Sequence, residues 1–208
     1  IINTLSGKIN KFTATGDLNG ALQAVFDAIN QSVHAPSIKI AVKNRLQPNS
    51  RTQYHYQAKK RTFSKETTRS RGMISHVIDI AESIFLPLGT DHYRDKNDID
   101  LIGEPAKSWV GVPLEAQNEV VGALVLEDDH HEGKFSEEDR DFLESIADLV
   151  AGAIYTVRLK KQNDWHQEQL RLLHYASEQI IRYADNSERL WAFVQTVVNV
   201  VCDKCPVD

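Results

Sequence analysis

The chain predicts an α+β fold, an α/β sandwich in which hairpin-paired strands pack against amphipathic helices. Apolar residues recur every three or four positions after Asp17 (Leu18, Leu22, Val25, Phe26, Ile29, Val33) and after Ser136 (Phe142, Leu143, Ile146, Leu149, Val150, Ile154), the stripe of a helix with one buried face. Between them, Ile38, Ile40 and Val42 alternate with Lys39, Ala41 and Lys43, and Tyr54, Tyr56 and Ala58 repeat that period of two. Two largely apolar stretches, 107–116 and 120–128, are joined by Gln117-Asn118-Glu119, a connection short enough only for a hairpin.

The 208 residues are 41% hydrophobic and 25% charged, a globular composition. No apolar run reaches the roughly 18 residues of a membrane-spanning helix, and the first residues are not a signal peptide, so a soluble fragment is expected. The two cysteines, Cys202 and Cys205, lie in the last seven residues; a body without thiols fits a cytoplasmic setting. Starting at Ile1 and stopping after an apolar helical pattern, the chain reads as a piece of a longer protein. Its net charge of −5 is unevenly spread, with 12 Lys/Arg against 3 Asp/Glu in 1–72 and 6 against 19 in 73–158. That contrast suggests basic strands and acidic helices of one domain. The alternative is a nucleic-acid- or anion-binding surface in 39–71, with Lys59, Lys60 and Arg61 at its centre.

Each element has its own signal. Asp17 is the expected N-cap of the first amphipathic helix, and Pro36 follows its end. Residues 59–71 are basic and poor in apolar residues, and a mobile loop or irregular lead-in is expected there. Gly72 opens a helix through Met73, Ile74, Val77 and Ile78, and Ile84-Phe85-Leu86 before Pro87 reads as a short strand. The polar stretch 89–98 reads as a long loop. The two stretches joined by the short hairpin should lie centrally, covered on both faces. Ser136 with Asp139 forms a capping-box pattern at the start of the last helix of the domain.

That helix has no Pro or Gly from 153 to 187, and Leu170, Leu173, Ile180 and Ala184 continue with coiled-coil spacing. Asn163, His166 and Ser177 fall on core positions of the same register. Asp185-Asn186-Ser187 would cap a further helix carrying Leu190, Trp191, Val194 and Val198.

The order of elements, with Gly72–Ile78, the strand around Ser108-Trp109-Val110-Gly111-Val112, its return Val120-Val121-Gly122-Ala123-Leu124, and Phe135-Ser136-Glu137-Glu138-Asp139, resembles the GAF domain family. The resemblance implies a central antiparallel sheet of about five to six strands with helices on both faces, the first and last helices together on one and a ligand pocket over the other. The expected organisation is a helical lead-in at 1–16, a GAF-like domain at 17–158, a connector helix at 159–184, and at 185–208 the first helix of a truncated second domain. Members of this family commonly dimerise along such helices and signal to an output domain in the same polypeptide.

No catalytic constellation stands out. There is no GxSxG elbow, no HExxH and no glycine-rich phosphate loop; Gly103-Glu104-Pro105-Ala106-Lys107-Ser108 lacks the second glycine of the last. The run Glu127–Glu132 has the right atoms for a metal, but adjacent residues leaving a strand point in different directions, and it reads as a solvated turn. Cys202 and Cys205 are half a zinc motif.

Among ligand classes known in the family, cysteine-linked bilins and thiol-dependent sulfoxide reduction need cysteines that the domain lacks. The cyclic-nucleotide signature is altered, because Arg140 stands where Glu is expected and Glu127-Asp128-Asp129 follows the strand where Asn-Lys is sought. Haem ligation by His76 or His92 stays open, and the cofactor is unknown. The candidate pocket residues are Phe85, His92, Tyr93, Arg94 and Trp109, aromatic walls with a few polar groups. The resulting expectation is a non-catalytic sensory and dimerisation module, with no catalytic residues and no metal site.

Overall fold

A computed structural model describes residues 2–44, 50–57, 62–68, 72–183 and, near the C-terminus, 191–192, 195 and 198–199. Two helices come first, α1 (Ile2–Thr15) and α2 (Leu18–Val33), followed by β1 (Ser37–Lys43), β2 (Arg51–Gln57) and β3 (Thr62–Thr68). Then come α3 (Met73–Ile80), β4 (Ile84–Leu86), α4 (Thr90–Lys96), β5 (Ser108–Ala116), β6 (Glu119–Asp128) and the 47-residue α5 (Glu137–Tyr183). The strands form one antiparallel sheet in the order β3-β2-β1-β6-β5-β4.

Local chemistry starts the helices where the sequence places them. The Asp17 carboxylate accepts the Gly20 N–H at 2.9 Å, and α2 ends at His34 in the left-handed conformation, φ 54°. At the start of α5 the capping box is complete: Asp139 N–H donates to Ser136 Oγ at 3.2 Å, and Ser136 N–H donates to Asp139 Oδ2 at 2.9 Å. Gln117 and Asn118, with φ of 53° and 62°, make the two-residue turn between the paired Ala116 and Glu119, a backbone twist that matches the flanking strands.

Strand alternation divides the core. On one face Ile38, Ile40, Leu124, Leu126 and Val112 pack with Phe26 and Ile29 of α2 and Leu143, Ile146 and Ile154 of α5. Phe26 stacks on Tyr56 with centroids 5.8 Å apart. Each such large side chain contributes roughly 1.5–3 kcal/mol of burial. Leu5 and Ile9 of α1 join the same cluster. On the other face Ala41, Ala123, Val125 and Trp109 lie beneath Val77 and Ile78 of α3.

Two glycines permit close approach. A Cβ on Gly122 would lie 2.0 Å from the Ala41 carbonyl oxygen, and one on Gly111 would lie 2.2 Å from the Trp109 indole.

Two polar segments differ from expectation. Residues 62–68, within the stretch read as an irregular lead-in, form edge strand β3 on β2; an edge strand draws its stability from backbone pairing and needs no apolar face of its own. The expected 89–98 loop contains α4. Asp91 in its first turn and Arg94 and Lys96 in its last suit the helix dipole, Arg94 pairs with Asp91, and Thr90 Oγ1 donates to the Ala106 carbonyl.

The chain divides into two units, Ile1–Arg158 and Leu159–Asp208. In the second, the helix carries exposed apolar residues, Trp165 (58%), Leu170 (66%) and Leu173 (65%), with short-range pairs such as Arg171–Glu168 at 3.2 Å on its surface. The cap at Asp185-Asn186-Ser187 and most of the helix expected after it lie outside the described residues. No helix among the described residues is long and apolar enough to cross a membrane.

The buried Asp128 at the end of β6 holds the next turn: its Oδ1 accepts the His130 N–H at 2.7 Å and the His131 N–H at 2.9 Å. Burial pushes its pKa up, but these N–H groups and the His131 ring outweigh that and hold the carboxyl below its ordinary value of 3.8. The stabilisation is therefore complete above the unfolded pKa and lost as pH falls through the lower folded value. Asp128→Ala should cost about 1–3 kcal/mol at neutral pH, with the gap to wild type narrowing below about pH 4; denaturant titrations at a series of pH values check both. Gly122→Ala, which forces β1 and β6 apart, should cost about 1–3 kcal/mol, read as a fall in thermal midpoint.

Candidate functional site

The sheet face opposite α2 and α5 carries a polar array at its β2-β1-β6-β5 centre. Parity places it there: with Ile38 and Ile40 committed to the helix side, Ser37 and Lys39 must point the other way, as must His55 on β2 and Glu127 on β6. Ser37 Oγ lies 3.0 Å from His55 Nε2. Lys39 and Glu127 form an ion pair, both half-buried, and the indole Nε1–H of Trp109 donates to Glu127 Oε1 at 3.3 Å. Trp109 is 2% exposed, and its ring lies across Gly111, two residues along the same strand face.

Segment 97–107 and the start of α3 border this array. A cavity of about 70 Å³ is lined by Trp109, Met73, Arg94, Ile102, Lys39 and Glu127. An adjoining one of about 390 Å³ shares Lys39, Ile102, Glu104 and Glu127 with it and extends to Ser37 and His55. A third, of about 550 Å³, meets the second at Glu104, Ala106, Asp129 and His130 and continues to Asp91 and Glu132. The second has the size of an ordinary small-molecule site, whereas the first alone holds only a few waters. Together the three make a trough along the rim of the sheet.

Of the five residues singled out in sequence, Arg94 and Trp109 line the trough. Tyr93 packs at the edge of the α3 cluster, its hydroxyl 3.4 Å from His76 Nε2, and burial, with Glu82 nearby, raises its pKa. His92 is exposed and is not among the trough's lining residues. Phe85 belongs to the opposite core: in a three-residue strand whose Ile84 and Leu86 face the α3 cluster, the middle side chain must turn to the helix side, where it packs and receives the Arg140 guanidinium 5.9 Å from its ring. Aromaticity marks Phe85 in the sequence, but the parity of β4 sets the face it occupies.

Lys39, Ser37 and His55 are not among the candidate pocket residues of the sequence, and Glu127 enters there only within the run Glu127–Glu132. Ser37 and Lys39 alternate with Ile38 and Ile40, and His55 lies between Tyr54 and Tyr56, whereas Glu127 follows the unbroken apolar run Val120–Leu126 and carries no such signal. The run Glu127–Glu132 is divided by the end of the strand, with Glu127 in the trough and Asp128 capping its own turn. Among the described residues no group of three or more His, Cys, Asp or Glu is arranged to hold a metal. Within the basic stretch, Lys39 is held by Glu127, and Lys59, Lys60 and Arg61 lie outside the described residues.

The family model described as GAF domain matches residues 17–154, about two-thirds of the chain. The fold is similar to the GAF domain of a phosphoenolpyruvate-protein phosphotransferase from Coxiella burnetii, with 19% identity, TM-score 0.54, and coverage of 77% of this chain and 96% of that one. It is also similar to residues 122 to 287 of a methyl-accepting chemotaxis protein, with 15% identity, TM-score 0.59 and coverage of 76% and 98%. A third similar structure is a type II free methionine-R-sulfoxide reductase from Thermoplasma acidophilum, with 19% identity, TM-score 0.51 and coverage of 71% and 95%. At these identities the likeness is one of fold. No curated protein matches the sequence significantly. On the family match and the sheet order together, this chain belongs to the GAF domain family.

Proposed function

We propose that the chain is a non-catalytic sensory and dimerisation module of a larger signal-transduction protein. In this reading the domain at 17–158 holds a small ligand in the trough, and the connector helix at 159–184 relays the change to an output domain in the same polypeptide. Residues 1–16 serve as a helical lead-in and 185–208 begin a second domain. The observation that supports it most is the continuity of α5. Its first turns bury Leu143, Ile146, Val150 and Ile154 against the sheet, and the same helix carries the exposed seam residues Leu170 and Leu173. A shift of the sheet against α5 can bias two arrangements of that seam if the ligand binds one better than the other.

A non-catalytic role is supported by the chemistry of the trough. No cysteine precedes Cys202. The hydroxyl–imidazole pair that lines the trough joins Ser37 on interior strand β1, which pairs with β2 on one side and β6 on the other, to His55 on β2. Sheet pairing there engages the backbone N–H groups that an oxyanion hole would need.

Light scattering on the purified chain should give twice the 23.5 kDa chain mass. Leu170→Glu with Leu173→Glu should return it to one chain mass while leaving the circular dichroism of the domain intact. A monomer at concentrations where α5 remains helical would count against dimer-based signalling. Native mass spectrometry with an absorption spectrum, run on the wild type and on Trp109→Ala, should show a retained small molecule that the variant loses.

A further inference from the structure

We infer that Arg158 is the positioning residue that ties α5 to the strand on the floor of the trough, an inference that rests on the sensory reading and names the contact through which a change on the sheet reaches the connector helix. Buried apolar side chains, among them Leu143, Ile146, Val150 and Ile154, hold α5 against the sheet. Such burial is non-directional and sets no bond direction between helix and strand. Arg158 adds a directional contact: its Nη2 donates to the Lys43 carbonyl, 115 positions away in sequence. A charged donor makes the stronger kind of hydrogen bond. Val157 before it is buried, Leu159 after it is exposed, and Arg158 ends the first of the two units.

The acceptor belongs to the strand that carries the trough. β1 places Ser37 and Lys39 there and ends at Lys43. Its pairing with β6 stops at Val42↔Gly122, one residue short of Lys43. On its other side the Asn44 N–H donates to the Ser50 carbonyl at 2.9 Å. In an antiparallel ladder hydrogen-bonded pairs alternate with pairs that exchange no hydrogen bond, so the adjacent pair Lys43↔Arg51 is of the second kind and the Lys43 carbonyl turns away from β2. Arg158 meets that carbonyl where the β6 ladder no longer reaches it. From Ser37 to Val42 the strand is paired on both sides. A displacement of Lys39 is carried along this braced strand over roughly 13 Å to Lys43, and the guanidinium passes it to α5. Residues 159–183 continue the same helix.

Hydrogen–deuterium exchange on the complete 208-residue chain, read at the amides of 159–170, tests this. Glu127→Gln removes the charge that holds Lys39 and should change exchange at those amides by about threefold or more. In an Arg158→Gln background the same substitution should leave them unchanged. Arg158→Lys keeps a charged donor but loses the planar fork, so its response should be smaller than in the wild-type background. A response of full size in Arg158→Gln, or in Arg158→Lys where the first variant does not fold, overturns the assignment even if the thermal midpoint falls: Arg158 then only braces the fold, and the relay through α5 stands without it. No response to Glu127→Gln in the wild-type background overturns it as well, and light scattering and native mass spectrometry then judge the sensory reading separately.

Discussion

The pairing of β1 with β6 at the centre of the sheet places everything else in this domain. Ile38↔Leu126 and Ile40↔Leu124 face the helices, and the intervening residues, Ser37, Lys39 and Ala41 with Ala123, Val125 and Glu127, face the other way. Because the strand period is two, a slip of one residue would send Lys39 into the hydrophobic cluster and Ile40 into the trough. The close fit of Gly122 against the Ala41 carbonyl keeps the two backbones in contact at one end of this ladder. Register, packing and site are thus one constraint seen at three scales.

Trp109 shows how that constraint becomes a site. Its indole fits only because Gly111 presents no side chain beneath it, and its N–H is satisfied only because Glu127 lies opposite in the β5-β6 pairing. Glu127 in turn holds Lys39. Three strands therefore contribute one side chain each to a polar chain whose members satisfy one another, which presets the floor of the trough. The wall is different in kind. Segment 97–107 carries exposed Leu101 and Ile102 and is tied down through Thr90 to the Ala106 carbonyl and Lys107 N–H to the Asp128 carbonyl, the latter at 2.8 Å.

Much of this fold was legible in the sequence because its signals were local. Asp17 and Ser136 with Asp139 cap helices through short-range hydrogen bonds, and the hairpin turn at Gln117-Asn118 follows from its length. What escaped was decided by partners distant in the chain. The polar strand β3 forms on backbone pairing with β2, and α4 offers only a short, polar pattern whose docking depends on Ala106, 16 residues away. The site was half legible for the same reason. Aromaticity found Trp109, but the distinction between Trp109 and Phe85 is one of parity between strands: the pairing Phe85↔Val110 puts Phe85 on the helix side with its partner. Lys39 and Glu127, 88 positions apart, become a pair only once β1 and β6 are neighbours.

The central claim, that parity buries the Trp109 indole on the trough face while keeping it against Glu127, is tested most directly by its fluorescence. With Trp165→Phe and Trp191→Phe the chain retains a single indole, since it contains three tryptophans. The account predicts blue-shifted emission that iodide quenches weakly, with a measurable change in intensity when Glu127→Gln removes the charge beside the indole N–H. Solvent-like emission, readily quenched and indifferent to residue 127, would contradict it.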